Sequence, residues 1–257
     1  MFDLTGKRAV ITGGGSGIGQ AIAETFARQG AESIILDANG DAAAEAARSI
    51  RNSGEKASSH VCDVSSRASV SEAFGQVIAN GGVDILVNNA GVSHIGDVET
   101  TTEDDFVRLF DVNVKGYFNC LQASIGHMKE KRRGVIVNMA STAAVAGIGN
   151  RFAYSMSKGA VLAMTYSVAK DYLPWNIRCN AISPARVHTP FVDGYIRKNY
   201  PGQEKEMFET LSKTQPIGRM GEPKEVAAVA LFLCSDEAAY VTGNNYAVDG
   251  GALRLSI

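Results

Sequence analysis

Short runs of apolar, largely β-branched residues alternate with longer stretches of helical periodicity along almost the whole chain. The short runs are predicted strands, at residues 8–12, 33–36, 59–62, 85–87, 135–138, 178–181 and 245–248. The longer stretches are predicted helices, at residues 18–28, 41–51, 69–79, 103–128, 153–172 and 224–234. This alternation predicts right-handed βαβ units, and strands that are apolar throughout predict burial on both sheet faces. The sequence therefore predicts an α/β protein with a doubly wound parallel sheet of about seven strands, whose ligands bind beyond the strands' carboxyl ends.

The 257 residues are predicted to form one domain, 1–257. No repeat, low-complexity tract or flexible linker divides the chain, and α/β domains of this length are common. One irregular stretch, at residues 184–221, is charged and is interrupted by Pro190, Pro201 and Pro216. Long insertions in compact domains are usually functional, so we predict that this stretch is a helical lid over the substrate.

Composition argues against several other classes of protein. The formal net charge is −2, so no basic field points to a nucleic-acid partner. No apolar run reaches the roughly 18 residues of a membrane-spanning helix, and the first residues lack a signal-peptide pattern. The four cysteines are widely spaced, with no C-x-x-C pair. We therefore expect reduced thiols, no metal site and a cytoplasmic protein.

A glycine-rich segment, TGGGSGIG at residues 12–19, joins the first predicted strand to the first predicted helix. Its spacing is G-x-x-x-G-x-G, which departs from the common G-x-G-x-x-G. Glycine lets the backbone turn tightly and approach a pyrophosphate, and a helix N-terminus supplies free N–H groups. An ordinary strand-to-helix turn is the alternative. The strand–turn–helix context favours dinucleotide binding by Gly13, Ser16, Gly17, Ile18 and Gly19.

An acidic residue ends the second predicted strand. Asp37 follows Gly19 by eighteen residues, and no Arg or Lys comes directly after it. A carboxylate there can accept hydrogen bonds from ribose hydroxyls and repels a 2′-phosphate, which favours NAD over NADP. Asp37 could also be the N-cap of the next helix, and the two roles are compatible.

Tyr154 and Lys158 form a Tyr-x-x-x-Lys pair, which places the two side chains one turn apart on one helix face. A free phenol has a pKa near 10. A neighbouring ammonium and an oxidised nicotinamide favour the phenolate, so that the tyrosine can act as a general base.

The same spacing occurs a second time, at Tyr166 and Lys170. A third group distinguishes the two pairs. Ser141 precedes Tyr154 by thirteen residues and follows a predicted strand, whereas the equivalent offset from Tyr166 is Ala153, which has no hydroxyl. We therefore predict that Ser141, Tyr154 and Lys158 are catalytic.

Taken in order, the motifs resemble those of the short-chain dehydrogenases/reductases. The matching segments are TGGGSGIG, Asp63, the run Asn88-Asn89-Ala90-Gly91, Asn113, Ser141, Tyr154-x-x-x-Lys158 and Pro184. They span residues 7–251, nearly the whole chain. Singly, several have plainer explanations: Asn113 could simply bond a neighbouring backbone group, and Asn88 and Asn89 could be turn residues.

The resemblance implies a Rossmann-type fold and an NAD(P)-dependent enzyme acting on CH–OH groups. It implies that Tyr154 is the acid/base, that Ser141 holds the substrate oxygen, and that Lys158 binds the nicotinamide ribose and lowers the phenol pKa. Asn113 would hold a water in the proton relay. Further cofactor contacts are implied for Asp63, Val64, Asn89, Ala90, Gly91, Tyr154, Lys158, Pro184, Val187 and Thr189.

Two further expectations come from the same resemblance. The family is usually homotetrameric, with the helices at residues 103–128 and 153–172 at an interface. It also commonly has Pro-Gly after the sixth strand, where this chain has Pro184-Ala185. Alanine tolerates fewer backbone conformations than glycine, so we expect this loop to follow a slightly different course.

Polar residues cluster where the fold predicts the substrate. They are Ser93, His94, Arg151, Arg186, His188 and Asp193. Arg151 lies one turn before Tyr154, where a cation opposes the helix dipole, so it could meet a substrate carboxylate or simply be a solvated arginine.

These residues predict an NAD-dependent dehydrogenase of a sugar, sugar acid or hydroxy acid, acting on a secondary alcohol, ketone or lactol. A 3-oxoacyl-carrier-protein reductase is the main alternative, although Asp37 disfavours the NADPH that such enzymes usually take. A non-catalytic nucleotide-binding scaffold is a remote one.

Overall fold

Seven parallel strands form one sheet in the order β3-β2-β1-β4-β5-β6-β7 in the computed structural model, which describes residues 1–255. The strands are β1 (Arg8–Thr12), β2 (Glu32–Asp37), β3 (Ala57–Val61), β4 (Ile85–Asn88), β5 (Gly134–Met139), β6 (Ile177–Pro184) and β7 (Asn245–Val248). Each predicted strand is present, and the predicted doubly wound sheet is confirmed. The strand order reverses between β1 and β4, and β1 directly contacts both β2 and β4. The carboxyl ends of these three strands therefore meet at the switch point where such sheets bind ligands.

Nine α-helices flank the sheet within the described residues. They are α1 (Gly17–Arg28), α2 (Gly40–Asn52), α3 (Arg67–Ala79), α4 (Glu103–Phe110), α5 (Gly116–Lys131), α6 (Phe152–Tyr172), α7 (Pro190–Asn199), α8 (Glu204–Lys213) and α9 (Pro223–Cys234). No helix in this part of the chain has the length and apolarity needed to span a bilayer.

Successive residues of β1 supply two separate cores. Ala9 and Ile11 pack with α1, α2 and α9 on one face, whereas Val10 packs with α3, α5 and α6 on the other. Phe26 of α1 and Phe74 of α3 are fully enclosed on their respective faces. Burial on both faces explains why the central strands lack the alternating polar pattern of a half-exposed strand.

The long helix predicted at residues 103–128 is interrupted. Between α4 and α5 lies a π-helical segment, Asp111–Lys115, in which the turn is wider by one residue. Asn113 lies in this segment and is fully buried. Its amide bonds both the N–H and the carbonyl of Val92 at 2.9 Å. These hydrogen bonds join residues distant in sequence, so the helical periodicity could not predict the interruption.

The segment predicted as a helical insertion, 184–221, contains α7 and α8. Its base is fixed because Val187 bridges Gly221 and the Ala185 N–H bonds the Val248 carbonyl at 3.1 Å. Ala185 has no positive φ angle. The backbone at this position therefore does not require glycine.

Candidate active site

The glycine-rich turn after β1 is a close approach of two backbones. Gly13 has a φ of +64°, and a Cβ placed on it would lie 2.8 Å from the Cα of Ala90. A Cβ on Gly19 would lie 2.2 Å from the carbonyl oxygen of Gly13. Neither position has room for a side chain. The turn lies directly against the loop that follows β4.

The N-terminus of α1 is open at this turn. Its N-cap residue, Ser16, makes no side-chain capping bond, whereas Asn39 and Thr102 cap α2 and α4. The first N–H groups of α1, from Gly17 to Gly19, have no acceptor within the helix. A tight glycine turn with uncapped N–H groups and a positive dipole end fits the pyrophosphate of a dinucleotide.

Asp37 borders the same turn at the end of β2. Its Oδ2 accepts a hydrogen bond from the Gly15 N–H at 3.0 Å, and its Oδ1 accepts one from the Asn39 N–H at 2.9 Å. Asn39, not Asp37, caps α2, since its side chain accepts from the Ala42 N–H. The possible N-cap role of Asp37 is thus corrected, and its carboxylate lies against the glycine turn.

The loop after β4 is tied to the glycine turn by side chains. The Asn89 amide donates to the carbonyls of Thr12 and Gly13 at 3.0 and 3.1 Å, and the Thr12 hydroxyl accepts from the N–H groups of Asn89 and Ala90. Asn89 thus holds the turn in shape.

After β3, Val64 is buried, and the exposed Asp63 accepts hydrogen bonds from the N–H and hydroxyl of Ser65.

Tyr154, Lys158 and Ser141 converge beyond the carboxyl end of β5. Lys158 is only 4% exposed, and its Nζ donates to the Met139 carbonyl at 2.8 Å and to the Tyr117 hydroxyl at 3.4 Å. Its Nζ lies 5.9 Å from the centre of the Tyr154 ring. Ser141, two residues after the end of β5, is buried and accepts from the Ala143 N–H at 3.2 Å.

Burial changes the protonation of both groups of the pair. It raises the pKa of the Tyr154 phenol, and Ser141 and the positive charge of Arg151 lower that pKa in part. Burial also lowers the pKa of Lys158 to about 7. The protein alone therefore keeps the phenol protonated, and an added positive charge nearby favours the phenolate.

The π-helical segment joins this group. Asn113 donates to the Ser157 hydroxyl at 3.0 Å, and Ser157 donates to the Tyr154 carbonyl at 2.8 Å. A Cβ on Gly91 would lie 3.2 Å from Asn113 Oδ1 and 3.5 Å from Lys158 Nζ. The loop after β4, the π segment and α6 therefore meet at one point.

Sequence reasoning missed two members of this group. Tyr117 is 1% exposed, donates from its hydroxyl to the Met139 carbonyl at 2.9 Å, and accepts from Lys158. Ser157 links Asn113 to α6. An aromatic residue and a serine within helices are typical of packing, so neither carried a signal.

The six predicted substrate residues fall into three pairs. Arg151 and Arg186 lie close enough to Tyr195 that their charges lower its pKa in part. His188 and Asp193 instead pair with each other, Nε2 to Oδ1 at 2.8 Å, on the insertion.

The other members lie in the loop after β4. Ser93 and His94 are part-buried there, and His94 approaches Asp105 at 3.4 Å. Arg151 was expected in the first turn of a helix. It is instead the N-cap residue, just before α6 begins at Phe152, and its guanidinium donates to the His94 carbonyl at 3.2 Å.

The start of the insertion lies near the glycine turn. Pro184 is the last residue of β6 and is buried, as is Val187. A Cβ on Gly17 would lie 3.4 Å from Cγ2 of Thr189. Thr189 is therefore next to the glycine turn and the open end of α1.

Comparisons with known proteins agree with this geometry. A family model described as enoyl-(acyl carrier protein) reductase matches residues 13–252. Oxidoreductase UcpA of Salmonella typhimurium is 37% identical, over 98% of this chain and 96% of its own. 2-Keto-3-deoxy-L-fuconate dehydrogenase of Xanthomonas campestris is 34% identical, over 96% and 80%.

Two further comparisons cover nearly full chains. The 3-oxoacyl-[acyl-carrier-protein] reductase FabG of Thermotoga maritima is 36% identical, over 96% of this chain and 98% of its own. The crystal structure of NAD⁺-bound xylitol dehydrogenase superposes with a TM-score of 0.89 at 36% identity, over 96% and 99%.

Proposed function

The chain belongs to the short-chain dehydrogenase/reductase family of oxidoreductases acting on CH–OH groups, and we propose that it transfers a hydride between NAD and a small polar substrate. The reacting carbon is that of a secondary alcohol or ketone, or of a sugar lactol. One observation carries the proposal: Ser141, Tyr154 and Lys158 converge at the strand edge that also holds the glycine turn.

Each side chain has a role in this proposal. Bound NAD supplies the hydride acceptor. Ser141 holds the substrate oxygen, and Tyr154 takes the hydroxyl proton during oxidation and returns it during reduction. Lys158 holds the nicotinamide ribose and, in its ammonium form, favours the phenolate. Asn113 holds the water through which the proton reaches solvent.

We propose the remaining cofactor contacts from the place of each residue in the fold. Gly13, Ser16, Gly17, Ile18 and Gly19 hold the pyrophosphate. Asp63 and Val64 border the adenine, and the run Asn89, Ala90 and Gly91 lines the adenosine side. Pro184, Val187 and Thr189 hold the carboxamide, and the insertion at 184–221 is the lid that closes over both ligands. The proximity of Thr189 to Gly17 supports this assignment.

NAD is the proposed cofactor because of Asp37. Its carboxylate lies at the glycine turn, with no cation directly after it in the sequence. We expect Asp37→Ala to weaken NAD binding far more than NADP binding, since it removes both the ribose hydrogen bonds and the repulsion of a 2′-phosphate. Isothermal titration of both cofactors with both proteins measures this. A wild-type enzyme that prefers NADP contradicts the assignment.

The substrate class rests on the polar residues beside Tyr154 and is supported by the relatives named for a sugar acid and a polyol. NADH production across hydroxy acids, aldoses, aldonates, polyols and steroids tests it. The relative named as a 3-oxoacyl-[acyl-carrier-protein] reductase favours one competing function, the reduction of a 3-oxoacyl thioester. Faster NADPH-dependent reduction of an acetoacetyl thioester than oxidation of any panel member would establish that competitor instead.

We also propose a homotetramer. Aromatic rings are exposed on the two long helical stretches: Phe106, Phe110, Phe118 and Tyr166 are 36%, 43%, 47% and 46% exposed. Such rings on adjacent helices are typical of interfaces. Light scattering after size-exclusion chromatography gives the mass, and Phe118→Glu is expected to yield smaller species.

A further inference from the structure

Arg186 is a part-buried cation whose Nε atom is buried and has no hydrogen-bond partner within residues 1–255. Among the ion pairs of these same residues, neither Arg186 nor Arg151 takes part. A buried N–H group without an acceptor is costly. A fully solvated arginine would not leave its Nε in this state, so the position of Arg186 calls for an acceptor.

Both arginines are anchored by their backbones. The Arg186 carbonyl accepts from the Gly221 N–H at 2.9 Å, at the base of the insertion. Arg151 forms a bridge with Gly96, and its guanidinium donates to a backbone carbonyl. Their positions are therefore set by two separate parts of the fold, the end of β6 and the loop after β4.

The two charges act on each other and on the catalytic tyrosine. Burial lowers the pKa of Arg186, and the charge of Arg151 lowers it further. Arg151 also lowers the pKa of Tyr154 in part. The charges of both arginines also lower in part the pKa of Tyr195, on α7 of the insertion. The fold agrees: Arg151 stands three residues before Tyr154 at the start of α6, and Arg186 follows the end of β6 by two residues, so both lie at the carboxyl edge of the sheet. Two like charges at this edge form a local excess of positive potential that an anion would neutralise.

We propose that Arg151 and Arg186 together bind a carboxylate of the substrate, so that the enzyme acts on hydroxy-acid or sugar-acid anions and not on neutral polyols. This rests on the proposed function for the identity of the reacting site. The fork of each guanidinium matches a carboxylate, and Arg186 gains the acceptor that its Nε lacks in the protein alone. Arg186 is thus a specificity-determining residue contributed by the insertion.

Matched substrate pairs test the charge requirement. NADH production is measured with D-gluconate against D-glucitol, and with 3-hydroxybutyrate against its amide. The same acids are titrated calorimetrically into the enzyme–NADH complex, which gives a readout without turnover. We expect at least one acid to bind, and to exceed its neutral counterpart by 100-fold or more in kcat/KM, as loss of an ionic hydrogen-bond partner implies.

Arginine variants locate the effect. Arg151→Ala and Arg186→Ala are each expected to raise KM, and the calorimetric Kd, for the acid by about 10- to 100-fold with a smaller change in kcat. Arg186→Lys keeps the charge and loses the forked guanidinium, so its KM and Kd for the acid should lie between those of the wild type and of Arg186→Ala. Arg197→Ala removes an exposed arginine of α7 and is the control. The affinity for NAD should be unchanged in all of them.

The outcomes separate the two proposals. Equal use of the acid and its neutral counterpart overturns the anion site, as does behaviour of the Arg186 and Arg151 variants like that of Arg197→Ala. Acids that neither react nor bind overturn it too. If acids bind through the arginines and no alcohol reduces NAD, the proposed dehydrogenase function fails and the anion site stands.

Discussion

Helix α6 carries the pattern Tyr-x-x-x-Lys twice, and the two copies lie in different surroundings. Lys158 is 4% exposed and Tyr154 is part-buried, whereas Tyr166 is 46% exposed and Lys170 is also exposed. Twelve residues separate the copies, which is about 18 Å along the helix and about 120° around it. One copy therefore faces the sheet edge and the other faces away from the core.

The difference shows where the chemistry of the motif comes from. A tyrosine and a lysine one turn apart are not a catalytic site by themselves. At the first copy, burial shifts the pKa of both groups. Ser141, from the loop after β5, and the Met139 carbonyl lie beside them. Ala153, the counterpart of Ser141 for the second copy, is fully buried in packing. The surroundings at the sheet edge, and not the motif itself, therefore distinguish the proposed catalytic pair.

The largest expected effect comes from removing the tyrosine hydroxyl of the first copy. Tyr154→Phe should lower kcat by about 10²–10⁴-fold, because general acid–base assistance is lost while the fold is kept. Tyr166→Phe, the matched control, should leave kcat unchanged. Steady-state rates and NAD titration of both variants measure this. Equal losses in the two variants would break the comparison.

A smaller effect is expected from Ser141→Ala. In the proposed function this hydroxyl holds the substrate oxygen, and it lowers the pKa of the Tyr154 phenol in part. We therefore expect kcat to fall by about 10- to 1,000-fold, near the cost of an oxyanion-stabilising group. The pH profile of the remaining activity should also move to higher pH, because the phenol has lost a group that lowers its pKa. Thr142→Val, a change at the buried neighbouring residue, is the control. An unshifted profile contradicts the role of Ser141.

The smallest effect concerns stability and depends on pH. With its pKa near 7 in the fold and 10.5 as the reference value, Lys158 binds fewer protons in the folded than in the unfolded protein between these pH values. Its presence therefore lowers the free energy of unfolding most at and below pH 7, and the deficit shrinks as the pH rises towards 10.5.

Lys158→Met should consequently be inactive and yet raise the free energy of unfolding of the cofactor-free protein. The gain should be about 1–3 kcal/mol at pH 6.5, once the lost bond to Met139 is subtracted, and should diminish by pH 9. Lys170→Met, at the exposed copy, should change it by less than about 0.5 kcal/mol at both pH values. Urea titrations at the two pH values measure this, and a gain that does not vary with pH contradicts the cause given.

Much of the fold was predictable because it rests on local patterns. The alternation of short runs with helical stretches located all seven strands, although β3 (ASSHV) is largely polar, and the turn at residues 12–19 was evident from its glycines. Ser141 and the first tyrosine–lysine pair could be chosen by offset alone. Other features depend on partners distant in sequence. No periodicity reveals that Tyr117 contacts Lys158, that Asn39 caps α2 in place of Asp37, or that Arg151 ends outside the helix.

The π-helical turn at Asp111–Lys115 has a consequence for how this protein can evolve. Deleting one residue there would restore regular helix geometry and leave α4 and α5 in phase, because the wider turn is what accommodates the extra residue, but it would move the side chains within the turn itself. Asn113 would then no longer point at Val92 and Ser157. A change that removes a local defect would thus dismantle the hydrogen bonds beside the catalytic tyrosine. Stabilising substitutions in this helix are therefore constrained by activity. During evolution, insertions and deletions at this turn should be accepted less often than residue substitutions.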